Sequence, residues 1–221
     1  MIEHLPTVVP YPADRQRLGN EGHPMRLVTR ELARDPGSWT AGRQAEVAEV
    51  FDSLASEWTD RYTADPPRLD ALRDALDRAP GLVGATPGGR CLDVASGSGV
   101  ATDLLAERLG RVVALDLSAA MLASSPAGAK VQADAAAVPL ATGSIDVVVL
   151  MNALLFAAEM DRVLAPAGRL LWVSTWGDDT PIWLPVEEVV AALPGRWEGV
   201  AGAAGPGTWA VLHRVPNTRR S

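Results

Sequence analysis

The chain has 221 residues with 20 basic and 27 acidic side chains, a formal charge of −7, and an apolar share of 48% against 21% charged. That size suits one domain with an attachment, or at most two small ones, and the composition excludes wholesale disorder. The acidic balance speaks against nucleic acid and anionic membrane surfaces as partners, since both are bound through Lys and Arg. The single cysteine, Cys91, excludes an internal disulfide framework.

Residues 1–84 read as a lead-in followed by a helical cap. Five prolines fall within the first 42 residues, which are expected to be extended apart from a short helix over Met25–Arg34. The N-terminus lacks the basic start and apolar run of a signal peptide, so a cytoplasmic location is expected. Val47, Val50, Phe51, Leu54, Ala55 and Trp58 recur at helical spacing between acidic residues, which predicts an amphipathic cap helix. A second helix is expected from Leu69 to Ala79, ended by Pro80-Gly81, and Gly84–Gly89 reads as a loop.

From residue 85 to 215 strands and helices alternate, with 216–221 left as a tail. Strands are predicted at Arg90–Ala95, Arg111–Asp116, Lys130–Ala133, Ile145–Met151 and Arg169–Thr175. Helices are predicted at Val100–Leu109, Ser118–Ser124 with Ser118 as N-cap, Asn152–Leu164 and Pro185–Leu193. Two closing strands, Trp197–Ala203 and Thr208–Val215, flank Gly205-Pro206-Gly207 as a hairpin. The pattern implies an α/β fold, a doubly wound, Rossmann-like sheet that is mostly parallel with a C-terminal antiparallel hairpin.

In such sheets ligands bind beyond the carboxyl ends of the strands. The first strand of this unit runs into Leu92-Asp93-Val94-Ala95-Ser96-Gly97-Ser98-Gly99, whose small residues let the backbone turn tightly against a ligand. Asp93 stands where a dinucleotide would bring its pyrophosphate, and a carboxylate there repels phosphate and attracts an ammonium group. Thr102 falls on the third glycine of the dinucleotide fingerprint. Asp116, about 23 residues beyond Asp93, ends the second strand, where an acid accepts ribose hydroxyls. Together these residues ask for a nucleoside with a bare diol, a cationic appendage and no phosphate.

The motif around Asp93 to Gly99 resembles the first motif of class I S-adenosylmethionine-dependent methyltransferases. Val113–Ser118 with Met121-Leu122 resembles their second, Gln132–Ala135 with Val138-Pro139-Leu140 their third, and Ile145–Val149 and Asp161–Leu170 the following strands. The branch most resembled is the small-molecule one, akin to the ubiquinone and menaquinone biosynthesis methyltransferases. The resemblance implies that Gly97 and Gly99, with Ala95 at a usual glycine, border the methionine part, with Asp93 near its ammonium. It implies that Asp116 takes the ribose hydroxyls, that Leu117 and Met121 pack nearby with Leu117 on adenine, and that Asp134 and the Ala135 amide meet the adenine edge. The backbone at Leu150 and Met151 would meet the amino group.

The cofactor implied is S-adenosylmethionine, leaving S-adenosylhomocysteine, and the partner a small organic methyl acceptor. A nicotinamide-dependent oxidoreductase and a catalytically silent cofactor-binding protein acting through a partner stand as alternatives. The former predicts a parallel strand in place of the closing hairpin.

The segment after Asn152 is short, with Leu155-Phe156 where histidines are frequent, which shifts acceptor binding towards the cap. No catalytic residue stands out, and the candidate base is His23. Trp58 and Tyr62 are read as packing onto the sheet domain or, compatibly with that, as a lid over the cofactor, and Trp176 and Trp183 as acceptor-pocket walls. Trp172, Trp197, Trp209 and Cys91 are expected in the core, Asp146 is expected to pair with an arginine, and Asp178-Asp179 is read as a turn with no metal.

Overall fold

A computed structural model of the chain describes residues 1–13, 16, 19–63, 65–82 and 89–216. Most of the predicted loop at 84–89 lies outside the described residues. The described chain runs β1 (Ile2–His4), α1 (Pro24–Arg34), α2 (Ala41–Thr63), α3 (Asp70–Arg78), β2 (Arg90–Val94), α4 (Thr102–Leu109), β3 (Arg111–Asp116), α5 (Ala119–Ser124) and β4 (Ala129–Gln132). It continues through β5 (Ile145–Met151), α6 (Ala157–Val163), β6 (Leu164–Ser174), α7 (Val186–Ala192), β7 (Trp197–Ala204) and β8 (Gly207–Arg214).

The eight strands form one sheet in the order β1-β7-β8-β6-β5-β2-β3-β4. β8 runs antiparallel to both β6 and β7, while the other neighbours are parallel. The fold is therefore the Rossmann-like, mostly parallel sheet with an antiparallel hairpin that the alternation implies. The parallel closing strand required by a nicotinamide oxidoreductase is not what is found.

Each central strand is covered on both faces, and the two-residue period sorts its side chains. Leu92, Val94, Val148, Leu150, Leu170 and Trp172 go to one core, under Met160 and Val163 of α6 and Val189 of α7. Cys91, Val147, Val149, Leu171, Val173 and Trp209 go to the other, under Ala71, Leu72 and Ala75 of α3 and Leu105 of α4. Trp197 joins the first core, so the three core tryptophans and Cys91 lie where the sequence puts them. Asp146 accepts from the Arg90 backbone N–H at 2.8 Å and lies 3.5 Å from its Nε, the structural pairing expected of it.

Three stretches differ from expectation, one of them β6, which begins at Leu164 and not at Arg169. Residues 2–4 belong to the sheet as a short edge strand parallel to β7. The helix expected over Asn152–Leu164 begins only at Ala157. Asn152 is left-handed, φ 52°, and its side-chain amide clamps Thr175, with Nδ2 donating to Oγ1 at 2.9 Å and Oδ1 accepting from Thr175 N–H at 2.9 Å. That clamp ties the end of β5 to the end of β6 and stops a helix from starting there.

Candidate active site

The carboxyl ends of β2, β3, β4 and β5 open into a cleft of about 940 Å3, its open mouth included. Its floor is the turn after β2. Three residues there have positive φ, Ala95 at 53°, Gly97 at 57° and Gly99 at 79°. A side chain on Gly99 would place Cβ 2.5 Å from Ser125 Oγ and 2.7 Å from Pro126 Cδ, so the close approach of this turn to the end of α5 requires glycine. On Gly97 it would meet Trp58 Nε1 at 3.2 Å, which shows how closely the indole of α2 covers the turn.

Asp93 lies beneath that turn, 2% exposed, and its Oδ2 has no hydrogen-bond partner. Burial, reinforced by the nearby Asp116 charge, raises its carboxyl from 3.8 to about 7. Ser96 Oγ is likewise buried without a partner. Buried polar atoms left unmatched in a folded chain call for a ligand or water.

Asp116 serves the turn directly. Its Oδ2 accepts from Gly97 N–H at 2.7 Å and its Oδ1 from Ser118 N–H at 2.8 Å. Burial raises its pKa, the backbone N–H groups of Ser118, Gly97 and Leu117 oppose that rise, and the charge of Asp52 adds to it. Ser118 caps α5 as expected, accepting from Met121 N–H at 3.0 Å. Its hydroxyl donates in turn to Asp52 Oδ1, which also accepts from Ala120 N–H at 3.4 Å, so α2 is pinned onto the start of α5. At the β4 end of the cleft Asp134 Oδ2 accepts from Trp39 Nε1 at 2.9 Å and Oδ1 from Ala136 N–H at 2.8 Å.

The site residues read from the sequence divide accordingly. Ala95, Gly97, Asp116, Leu117, Met121, Asp134, Ala135 and Met151 line the cleft. Asp93 and Gly99 support its floor from behind, and Leu150 is fully buried in the core.

His23 is corrected. It is exposed and caps α1, its Nδ1 accepting from Met25 N–H at 3.2 Å, and it does not line the cleft. Trp183 is corrected as well: it flanks a separate cavity and stacks on Arg26, 5.0 Å from guanidinium carbon to ring centroid. Trp176 lines neither of these two cavities. Trp58 lines the cleft, whereas the side chain of Tyr62 lies outside the described residues. Asp178 and Asp179 form a 3₁₀ turn, as read.

The other wall was not legible. Trp39 and Phe156 meet edge to face at 5.2 Å, and Phe51 and Trp58 at 5.6 Å. Met25, Leu154 and Ile182 complete an apolar chamber beside the glycine turn. Phe51 and Trp58, seven apart on the apolar stripe of α2, carried a local signal that reads equally well as core packing. Trp39, Met25 and Ile182 carried none.

α1 is held in place from below. Arg26, almost fully buried, donates to the carbonyl oxygens of Asp178 and of Thr180, the latter at 2.7 Å. Gly19 N–H donates to Asp179 Oδ1 at 3.0 Å, and Asn20 Nδ2 to the Asp179 carbonyl at 2.7 Å. Among the described residues no helix is long and apolar enough to cross a membrane.

Residues 92–172 match the family model described as a methyltransferase domain. The demethylmenaquinone methyltransferase of Beutenbergia cavernae is 36% identical over 155 residues, covering 64% of this chain and 62% of that protein. Its counterpart from Renibacterium salmoninarum is 35% identical over 140 residues, 58% of each. The chain thus spans about six tenths of the length of the curated relatives it matches. The crystal structure of a SAM-dependent methyltransferase from Aquifex aeolicus shares the fold, with TM-score 0.53 at 18% identity over 70% of this chain and 96% of that one. The chain resembles class I S-adenosylmethionine-dependent methyltransferases, and the curated relatives cited carry the menaquinone branch in their names.

Proposed function

We propose that the chain transfers the methyl group of S-adenosylmethionine to a small, flat, apolar acceptor of the quinol type, leaving S-adenosylhomocysteine. The observation that carries this reading is the buried carboxyl of Asp93, its Oδ2 unmatched, beneath a turn in which Ala95, Gly97 and Gly99 are left-handed. Such a floor suits a cation and a bare sugar, and repels a diphosphate.

The residues present fit the cofactor. Asp116 and Leu117 would hold the ribose and adenine, and Asp134 with the Ala135 amide the adenine edge. Gly97 and Met151 would border the amino-acid tail. When bound, S-adenosylmethionine supplies a methyl carbon already activated on a sulfonium. Trp58 presents an aromatic ring over the turn, a surface that stabilises a sulfonium cation.

The chain's own contribution is positioning and exclusion of water. Trp39, Phe51 and Phe156 wall an apolar chamber against the glycine turn, and aromatic walls favour a planar apolar ring. The described lining residues include no His, Cys or Lys. This reading therefore asks for an acceptor that needs no strong base. The names of the relatives add the quinol class as the first acceptor to try.

The experiment is turnover of S-adenosylmethionine with a panel of reduced naphthoquinones lacking the ring methyl. Release of S-adenosylhomocysteine with transfer to ring carbon is expected, the ring hydrogen it replaces leaving as a proton to solvent. Binding of NAD in place of S-adenosylmethionine refutes the cofactor, and binding without turnover on any planar acceptor refutes the enzyme in favour of a silent binding protein.

A further inference from the structure

We propose that Arg68 anchors the α-carboxylate of the cofactor's amino-acid tail, an assignment that rests on the cleft taking S-adenosylmethionine. That tail is a zwitterion. On that reading Asp93, beneath the glycine turn, would supply the charge that favours its ammonium group, while the residues read from the sequence offer its carboxylate no counter-charge. Among the described residues lining the cleft, Arg68 has the sole cationic side chain.

Its position along the cleft is the one the tail requires. Asp116 and Asp134, the acids of the adenosine half, follow β3 and β4. In the sheet order β8-β6-β5-β2-β3-β4, the glycine turn after β2 comes next, followed by Met151 and Asn152 after β5. From β4 to β5 the cleft crosses three strand spacings, roughly 14 Å. Arg68 enters from beyond β5. It sits in the 3₁₀ turn Pro66–Leu69 that leads into α3, its N–H donating to the Asp65 carbonyl at 3.0 Å.

The start of α3 presses on the β7–β8 turn. A Cβ on Gly205 would fall 2.8 Å from Asp70 Oδ2, and one on Gly207 would fall 2.7 Å from Ala71 Cβ. Ala71 and Leu72 are fully buried. The guanidinium is thus carried on a stem fixed by two prolines and a packed helix, at the end of the cleft opposite the adenosine acids. An extended molecule with adenine at Asp134 brings its carboxylate to that end. A guanidinium meets a carboxylate through paired, charge-assisted hydrogen bonds.

Two ligands separate this role from any other. S-adenosylhomocysteine carries the tail, and 5′-methylthioadenosine keeps the nucleoside and thioether without it. By calorimetry on the full chain, Arg68→Gln is expected to weaken S-adenosylhomocysteine about tenfold or more while leaving methylthioadenosine within about twofold. Arg68→Lys is expected to recover part of the loss. Retained methylthioadenosine binding also reports that the variant is folded.

Equal weakening of both ligands overturns the proposal, because it marks Arg68 as a support of the cleft's shape. So does unchanged S-adenosylhomocysteine binding with a raised KM for the acceptor, which assigns the charge to the acceptor instead. A wild-type chain that binds neither ligand refutes the cofactor reading itself, and the anchor with it.

Discussion

Asp93→Asn tests the electrostatic basis of the site. In the unfolded chain the carboxyl ionises near 3.8, whereas in the folded chain burial and Asp116 raise it to about 7. The folded state therefore keeps a proton that the unfolded state has given up. The contribution of this group to stability is full below about pH 4 and is lost as pH rises to about 7. Between pH 5 and pH 8 the loss comes to about 2–3 kcal/mol, at about 1.4 kcal/mol per pKa unit.

Asparagine does not titrate, so the stability difference between variant and wild type should shift by that amount in the variant's favour over the same interval. Because only the change with pH is read, any fixed cost of the amide cancels. Urea denaturation of the ligand-free proteins at the two pH values measures it. A cationic ligand reverses the preference by favouring the ionised carboxylate. S-adenosylmethionine should accordingly bind wild type more tightly at pH 8 than at pH 6, releasing a proton that calorimetry in two buffers detects. Asp93→Asn should bind more weakly and without that pH dependence. A stability difference that stays flat from pH 5 to pH 8, or tighter binding by the variant, refutes the reasoning.

Ala95→Gly relieves an L side chain at φ 53° and should raise stability by about 0.5–1 kcal/mol, the left-handed strain less the extra freedom of glycine in the unfolded chain; a lower denaturation midpoint would show that the methyl group packs. Trp39→Phe keeps an aromatic ring against Phe156 but removes the N–H that occupies Asp134, so affinity for S-adenosylhomocysteine should hold or rise up to about threefold. A tenfold loss would instead make Asp134 the partner of Trp39 and no adenine acceptor. Arg26→Ala frees two carbonyl oxygens and unseats α1, and is expected to raise the acceptor KM about tenfold while S-adenosylhomocysteine affinity stays within about threefold. Equal losses in both would separate α1 from the acceptor wall.

What the sequence made legible is what is local. The turn after β2, Asp116 and the Ser118 cap each belong to a short contiguous segment whose residue types state their own geometry, and β3 and β5 were read to the residue. β1 was not, because a three-residue edge strand owes its extension to pairing with β7, far along the chain. The late start of α6 was hidden in Ala153-Leu154-Leu155, an apolar run in which helix and buried loop look alike. The decisive residue was Asn152, whose amide finds Thr175 only once β6 is in place. His23 precedes Pro24 and a helical stretch, a signal for an N-cap as much as for a base.

The acceptor side of the cleft follows from that asymmetry. The loop after β5 is short and spends the Asn152 amide on a structural clamp, which leaves Ala153, Leu154 and Phe156 as its further contribution to the cleft lining. Apart from Ile182 after β6, the remaining wall comes from segments upstream of β2, and three residues of those segments are each bonded to a different loop at the carboxyl edge. Asp52 meets the loop after β3, Trp39 the loop after β4, and Arg26 the loop after β6. Two of these three ties thus reach loops that would grip the cofactor, one through Ser118, next to Leu117, and one through Asp134 itself.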